Sequence, residues 1–378
     1  MANILIIAFS NLRRDPRVRR QVMFLKDTHK VTIIGRTDPQ MDGLDFVPLQ
    51  SGASMSFFRK ALLASLLKAR LFEKVYWSMP LVSECNQVLK SRTFDVILAN
   101  DLNTLPLALS VADEVGAKVI FDAHEYAPKQ HDDQWLFRFF LQDYRHYLCS
   151  QYLPKVDAMI TVSQGIAKEY SSVYGLPCGV ITNAPFYENR EPGMVDSQHI
   201  RLVHHGALRS TRQLENMIYL MDLLDERFTL DMMLIPNGGH YFQRLQRLVL
   251  RYPRVRFRDP VPMPEISRVL SEYDIGIYLL PTLSFNARLA LPNKLFEFIQ
   301  GGLCVAIWPS PEMARIVREY NCGVVARDFT LPAIAMELNR LTSEEIFHCK
   351  QRAHAAAHIL CAENNRQVLL NLVENVIG

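Results

Sequence analysis

The sequence predicts an α/β protein built from two doubly wound parallel sheets, and three observations lead to that prediction. Short runs of β-branched and other apolar residues alternate with helical patterns along almost the whole chain. A polar stretch without periodicity, at 184–198, separates two such series. The length of 378 residues also suits two domains. Because strands that alternate with helices are typical of βαβ units, each series is expected to form one Rossmann-like domain.

In the first series, six apolar runs have the length and composition of buried strands. The predicted strands lie at 4–9, 31–35, 96–100, 118–122, 158–162 and 180–182. Helical spacing of apolar residues predicts helices at 16–27, 56–72, 80–91, 104–115, 134–150 and 164–174. We therefore assign residues 1–190 to an N-terminal domain.

The second series repeats this order after the polar stretch. Its predicted strands lie at 200–205, 229–234, 255–257, 274–280, 303–307 and 323–325. Its predicted helices lie at 211–225, 240–251, 264–272, 292–301 and 311–319, followed by a helical tail from about 343. We assign residues 191–354 to a C-terminal domain. Two such domains are expected to place a ligand cleft between their strand ends.

Composition excludes several classes of protein. With 49% hydrophobic and 21% charged residues, the chain can bury a substantial core and is not expected to be disordered. No apolar run reaches the ~18 residues of a spanning helix. The seven cysteines are scattered, without a Cys-x-x-Cys pair, which favours buried thiols in a reducing cytosol. His354 and His358 lack the intervening glutamate of a His-Glu-x-x-His site, so a helix surface is favoured there over a metal site.

Positive charge concentrates at the start of the chain. Residues 1–80 carry thirteen Lys and Arg against six Asp and Glu. Within this region, 57–77 interleaves aromatics and leucines with basic residues, and 135–147 is also rich in aromatics. Such segments are typical of surfaces that contact anionic membranes; the alternative is a core helix with solvated lysines.

The segment 274–302 carries the chemistry that is most specific. It reads as a buried strand, an irregular loop at 284–289, and a helix that opens at Pro292. Lys294 and Glu297 are three residues apart, so they project from one helix face. A lysine at a helix N-terminus suits a diphosphate, and a carboxylate one turn later can accept hydrogen bonds from the ribose diol. The alternative is a surface Lys–Glu pair, which contributes little.

This segment resembles the donor-nucleotide motif of the retaining family-4 glycosyltransferases, in the form Pro-x-Lys-x-x-Glu ahead of a small-residue turn. The Asp-Pro-Arg-Val at 15–18 is similar to the subset that builds bacterial surface polysaccharide and lipopolysaccharide. The resemblance extends to about residue 325. It implies the GT-B fold, in which two Rossmann-like domains face each other across a cleft. It also implies that the tail at about 355–378 returns to the N-terminal domain.

The resemblance implies roles for residues of the N-terminal domain. The Asp-Ala-His-Glu at 122–125 matches the family's strand end, which makes His124 a catalytic candidate. Arg17, Asp101 and Glu125 are the acceptor-side candidates. The alternatives are an Asp15 helix cap with surface arginines, a structural histidine at 124, and a helix-capping role for Asp101.

The donor side is implied in the C-terminal domain. Arg212 corresponds to the basic residue that holds the donor's diphosphate in related enzymes, so Arg212 and Lys294 join His124 as catalytic candidates. The alternative for Arg212 is an exposed helix arginine. The full set of donor-binding candidates is Gly206, Arg209, Arg212, Arg258, Asn286, Lys294 and Glu297.

The implied reaction moves a sugar from a nucleotide diphosphate to the hydroxyl of a glycan or lipid-linked glycan, with retention and without metal or cofactor. We expect a cytoplasmic protein, in peripheral contact with the inner face of the plasma membrane, and no nucleic-acid partner. One position departs from the family: Leu289 occupies the first position of its Glu-x7-Glu motif.

Other functions remain open at this stage. One is a nucleotide-sugar 2-epimerase on the same scaffold, and another is a non-catalytic subunit that binds a partner transferase. A hydride-transfer enzyme is disfavoured, because no Gly-x-Gly-x-x-Gly follows the first strand.

Overall fold

A computed structural model describes residues 1–50, 56–236 and 239–378. The chain divides into two compact units, each with its own parallel sheet. The first unit comprises residues 1–182, 284–286 and 365–378. The second unit comprises residues 183–283 and 287–364.

The first unit is built on a seven-stranded sheet in the order β3-β2-β1-β4-β5-β6-β7, parallel throughout. Its strands are β1 (Asn3–Ile7), β2 (Lys30–Gly35), β3 (Asp45–Pro48), β4 (Val96–Asn100), β5 (Lys118–Ala123), β6 (Ala158–Thr161) and β7 (Gly179–Val180). Its helices are α1 (Pro16–Leu25), α2 (Phe57–Lys68), α3 (Phe72–Trp77), α4 (Pro80–Leu89), α5 (Leu105–Val115), α6 (Trp135–Phe140), α7 (Gln142–Tyr152) and α8 (Gln164–Tyr174).

Local sequence sets the bounds of these helices. Asp15 caps α1 by accepting the backbone N–H groups of Arg17 and Val18, and Pro16 occupies the first helical position. Ser163 caps α8 by accepting the backbone N–H of Ile166. Every residue of β4 is buried, as expected for a central strand of a parallel sheet.

The second unit is built on a six-stranded parallel sheet in the order β10-β9-β8-β11-β12-β13. Its strands are β8 (Ile200–Ala207), β9 (Phe228–Ile235), β10 (Val255–Arg258), β11 (Ile275–Tyr278), β12 (Cys304–Ile307) and β13 (Gly323–Val325). The helices from here to the end are α9 (Glu215–Leu220), α10 (His240–Val249), α11 (Ile266–Leu270), α12 (Phe285–Arg288), α13 (Asn293–Gln300), α14 (Pro311–Glu319), α15 (Leu331–Asn339), α16 (Ser343–Ile359) and α17 (Ala362–Ile377).

Apolar side chains on both faces of the second sheet form two buried clusters. One cluster lies among β8, β9, α9 and α15, and the other packs α13 and α16 against the strands. The order of strands leads outward in opposite directions from the neighbours β8 and β11, so this pair is the topological switch point. Within the described ranges, no helix combines the length and apolar composition of a membrane span.

Several predicted elements differ from the observed ones. The predicted helix at 134–150 is two helices, α6 and α7, which meet at Leu141. The predicted helix at 211–225 is reduced to a turn of 3₁₀-helix followed by α9. The loop predicted at 284–289 contains the short helix α12, and Pro292 caps α13 from outside the helix. The predicted domain boundaries at 190 and about 355 stay predictions.

Candidate functional site

Five of the seven residues predicted to hold a nucleotide donor meet at the carboxyl edge of the second sheet: Gly206, Arg209, Arg212, Lys294 and Glu297. β8 ends in His205, Gly206 and Ala207, and β11 ends at Tyr278. Helix α13 places Lys294 in its first turn. Ligands of doubly wound sheets bind outside the strand ends at the switch point, which here is the β8–β11 pair. Residues from three elements therefore define one candidate site.

Lys294 is buried at this edge, with 7% of its surface exposed. A Cβ atom at Gly206 would lie 2.5 Å from the Lys294 Nζ, so the ammonium rests against bare backbone. Gly206 also has φ of +113°, a conformation that L side chains rarely adopt. With the Glu297 side chain only 12% exposed, the alternative of a solvated surface pair is excluded.

The site concentrates positive charge. Burial, followed by the charge of Arg212, lowers the pKa of Lys294 to about 7; Arg209 acts in the same direction, and Glu297 opposes them. Arg212 Nη1 donates a hydrogen bond to the carbonyl of Ala207 over 3.3 Å, which holds the guanidinium at the end of β8. Cations that repel one another in a desolvated place favour an anion, and guanidinium groups bind phosphate in a bidentate manner.

Glu297 lies beside His205, a contact that sequence reasoning missed. The Nε2 of His205 is 3.3 Å from the Oε2 of Glu297. Burial, and next the charge of Lys294, hold the pKa of His205 well below its usual value, so the imidazole is neutral. Phe298 packs edge-on against the same ring, with 5.4 Å between ring centroids. The only signal in the sequence is the histidine pair directly before Gly206.

His204 has a structural role beneath this site. Its Nδ1 donates a hydrogen bond to the carbonyl of Ile277 over 3.0 Å and so links β8 to β11. Burial, and then the charge of Lys294, lower the pKa of His204 to about 3. The ring stacks on Tyr278, whose own ring centroid is 5.3 Å from the Lys294 Nζ. The two strands of the switch point are thus tied by a neutral imidazole.

In the first unit, polar side chains follow the central strands β4 and β5. His124 Nε2 lies 3.2 Å from Asn100 Oδ1, and its Nδ1 lies 3.7 Å from Asp101 Oδ1. Asp101 has φ of +65°, a conformation that is uncommon for a residue with a side chain. The His124 side chain is 21% exposed, so an imidazole oriented from both sides remains accessible.

Arg17 points into the first unit. Its Nε donates to Oδ2 of the buried Asp122 and its Nη2 donates to Oδ1, each over 2.6 Å. Its Nη1 donates to the carbonyl of Ile181. Gln21 donates to the same carboxylate. This network holds the end of β5, two residues before His124. The acceptor-side role of Arg17 stays a prediction, because its guanidinium serves this internal anchor.

Glu125 borders a pocket of the first unit. Its burial, and then the carboxylate of Asp101, raise the pKa of Glu125. The polar side chains that line the pocket are Asp101, Glu125, Gln130, Arg145 and Tyr170. A carboxyl group with a raised pKa can both donate hydrogen bonds to hydroxyl groups and accept them. The acceptor-side role of Glu125 stays a prediction.

Two predicted donor-binding residues belong to elements other than β8, β11 and α13. Arg258 is largely exposed, and its Nε contacts Asp231 Oδ2 at 2.9 Å, a carboxylate that also accepts from Tyr273. Asn286 belongs to the first unit, where its amide bonds to the backbone of Tyr126 over 2.8 and 3.1 Å. Both side chains have protein partners, and their donor-binding roles stay predictions.

The two parallel sheets place the protein in the GT-B class, which confirms the predicted fold class. The structure is similar to sucrose-phosphate synthase from Thermosynechococcus elongatus, with a TM-score of 0.75 and 12% sequence identity over 99% of each chain. It is also similar to the Anabaena protein HepE in complex with UDP and glucose. That match has a TM-score of 0.72 and 13% identity over 99% of this chain and 100% of the other.

Residues 22–184 match the model of the family described as Glycosyltransferase Family 4. The match confirms the resemblance to family-4 glycosyltransferases that the motifs predict, and it covers both Asp101 and His124. None of the curated proteins compared with the chain by sequence is significantly similar to it.

Proposed function

We propose that this protein is a retaining glycosyltransferase, which moves a sugar from a nucleotide diphosphate to the hydroxyl of a glycan or lipid-linked glycan without a metal ion. The observation that carries the proposal is the buried Lys294, with Arg212 and Arg209 acting on it and Glu297 one turn further along α13. The family-4 match and the fold agree with it.

In this reaction the bond from the anomeric carbon to the diphosphate breaks, and a bond to the acceptor oxygen forms. Negative charge develops on the departing diphosphate. Lys294 and Arg212 stabilise that charge, because they are fixed in a desolvated place before the reaction begins. Those cations supply the charge that a metal ion would otherwise supply. The acceptor's proton passes to the departing phosphate, so no protein nucleophile is required.

Glu297 accepts hydrogen bonds from the ribose diol, and Gly206 allows the diphosphate to approach the backbone. His124 binds hydroxyl groups of the transferred sugar, and Glu125 with Asp101 binds the acceptor. We place the protein in the cytoplasm, where its acceptor belongs to bacterial surface polysaccharide or lipopolysaccharide. HepE was crystallised with UDP and with glucose, so UDP is the first nucleotide to test.

Thermal unfolding with UDP, GDP, ADP and CMP tests the donor site, because a ligand that binds only the folded state raises Tm. We expect one nucleoside diphosphate to raise Tm and Lys294→Met to remove that increase. Lys168→Met is the matched control, since Lys168 is exposed in the first unit. No increase with any nucleotide at millimolar concentration would contradict the proposal.

Product analysis tests the finer points. NMR of the product should show the donor's anomeric configuration, and excess EDTA should leave the rate unchanged. A 2-epimerase on the same scaffold would instead turn over the donor without an acceptor. A non-catalytic subunit would show no donor-dependent transfer, and Lys294→Met would leave the activity of its partner intact.

A further inference from the structure

Helix α2 is apolar and yet buries none of its residues. Phe57 and Phe58 are 80% and 84% exposed, and Leu62 is 59% exposed. A helix whose apolar residues are not confined to one stripe is normally buried in a core or a membrane. Single exposed apolar residues are ordinary, but a contiguous group of them marks a site of interaction.

Helix α6 lies next to α2 and also exposes apolar side chains, although its Phe137 is buried. Trp135, Leu136 and Phe139 are 64%, 53% and 58% exposed. Lys68 of α2 places its Nζ 2.8 Å from the ring centroid of Phe139 and so ties the two helices together. We call the six exposed side chains the aromatic surface: Phe57, Phe58, Leu62, Trp135, Leu136 and Phe139.

Positive charge accompanies the aromatic surface. The residues from 57 to 74 include five cations and one acid: Arg59, Lys60, Lys68, Arg70, Lys74 and Glu73. The acid is turned toward the protein, where the hydroxyl groups of Tyr147 and Tyr152 donate to it. Arg70 pairs with Asp143, but both side chains are about two-thirds exposed or more, so this pair neutralises little.

Aromatic side chains beside lysines and arginines fit one partner in particular. Phenylalanine and tryptophan insert at the boundary of headgroups and acyl chains, and the cations attract anionic lipids. A second copy of this chain would bring the same cations together, and they would repel. Charge complementarity therefore favours an anionic membrane over self-association.

We propose that the aromatic surface docks the first unit on an anionic phospholipid membrane. The docking needs no nucleotide, so it goes beyond the transfer reaction and can fail independently of it. Binding by a lateral surface of two short helices is peripheral and reversible, and it is expected to weaken as salt screens the cations.

Co-sedimentation with vesicles tests the proposal. The protein should bind vesicles of phosphatidylcholine mixed with phosphatidylglycerol, and bind those of phosphatidylcholine alone much more weakly. Phe57→Ser with Phe58→Ser should weaken binding by roughly tenfold or more. Lys60→Glu should weaken it by at least about fivefold. Leu250→Ser and Met194→Ser are matched controls, because these residues are 86% and 78% exposed in the second unit.

Three results would overturn the proposal. The first is no binding to anionic vesicles, and the second is equal binding to both vesicle types. The third is a dimer in solution that Phe57→Ser with Phe58→Ser dissolves, which would make the surface a self-interface. The Tm increase with a nucleoside diphosphate is measured on every variant, so loss of membrane binding is distinguished from a failed donor site or a failure to fold.

Discussion

The Nε2 of His205 lies 3.3 Å from the Oε2 of Glu297, one helical turn from Lys294. Burial holds the pKa of His205 well below its usual value, so the imidazole beside this carboxylate is neutral. In the proposed donor complex, Glu297 accepts hydrogen bonds from the ribose diol, whereas Lys294 and the arginines contact the diphosphate. In that complex, helix α13 would present an ammonium and a carboxylate to two parts of one nucleotide.

The first prediction concerns this pair. His205→Ala should lower the affinity for UDP by about tenfold, because a displaced carboxylate loses a charge-assisted hydrogen bond to the diol. The affinity of His205→Ala for 2′,3′-dideoxy-UDP should change little. Glu297→Gln should also lose affinity for UDP and keep its affinity for 2′,3′-dideoxy-UDP. Calorimetry of both nucleotides measures the difference. His199→Ala is the control, since His199 is an exposed histidine of the same unit. Equal losses for the two nucleotides would show that His205 only supports folding.

The second prediction is a coupling of nucleotide binding to proton uptake. The pKa of Lys294 is about 7 in the ligand-free protein, and a bound diphosphate should raise it. Affinity should therefore fall as pH rises above 7, by up to about tenfold per pH unit. Calorimetry at pH 8 in buffers of different ionisation enthalpy should show protons taken up on binding. Binding at pH 8 without proton uptake would contradict the assignment of Lys294 to the diphosphate.

The lowered pKa of Lys294 also makes stability depend on pH, in the direction opposite to that of nucleotide affinity. A pKa lowered by folding means that the unfolded chain binds more protons between pH 7 and the ordinary lysine value of 10.5. Stability of the ligand-free protein should therefore rise with pH in this window. Lys294→Met should remove that rise, and denaturant titrations at several pH values measure it.

The third prediction concerns Gly206. Gly206→Ala must adopt φ of +113° and place a Cβ 2.5 Å from the Lys294 Nζ. We expect a loss of about 1–3 kcal/mol in the free energy of unfolding, together with weaker nucleotide binding as Lys294 moves. Gly193→Ala is the matched control, because nothing lies within 4 Å of its Cβ position. Unchanged nucleotide affinity in a folded Gly206→Ala protein would show that Gly206 does not contribute to nucleotide binding.

The fourth prediction contrasts two ion pairs of the first unit. Arg17→Met leaves the fully buried Asp122 without its bidentate partner, so it should cost about 3–5 kcal/mol of stability. Arg70→Ala breaks an exposed pair and should cost about 0–1 kcal/mol. Urea denaturation measures both. A small effect of Arg17→Met would show that the pair with Asp122 contributes little to stability.

Apolar periodicity was sufficient to predict most central elements, because buried strands and amphipathic helices are encoded locally. Helices α8 and α14 match the predicted ranges fully. Strand β3 was missed, since an edge strand of four residues ending in Pro48 reads as a loop. Helix α15 was missed because Pro332, which fits the first turn, reads as a helix breaker.

The candidate site was predictable in part. Arg212 lies on a different motif from Lys294 and Glu297, and their meeting follows from the rule that parallel strands end at one edge. The His205 contact was not predictable, because a histidine beside a glycine has no local signature. Nor does a sequence reveal that the Arg17 guanidinium turns inward, since that depends on Asp122, which lies 105 residues away.

Neither unit is a continuous stretch of polypeptide, since residues 284–286 and 365–378 complete the first unit. A fragment cut after residue 182 would lack Asn286, whose amide satisfies the backbone of Tyr126. It would also lack Asn365, which bonds to Thr182. Recombinant dissection of this protein into an isolated N-terminal half is therefore expected to give a poorly folded product. Domain exchange between homologous enzymes must carry three segments together.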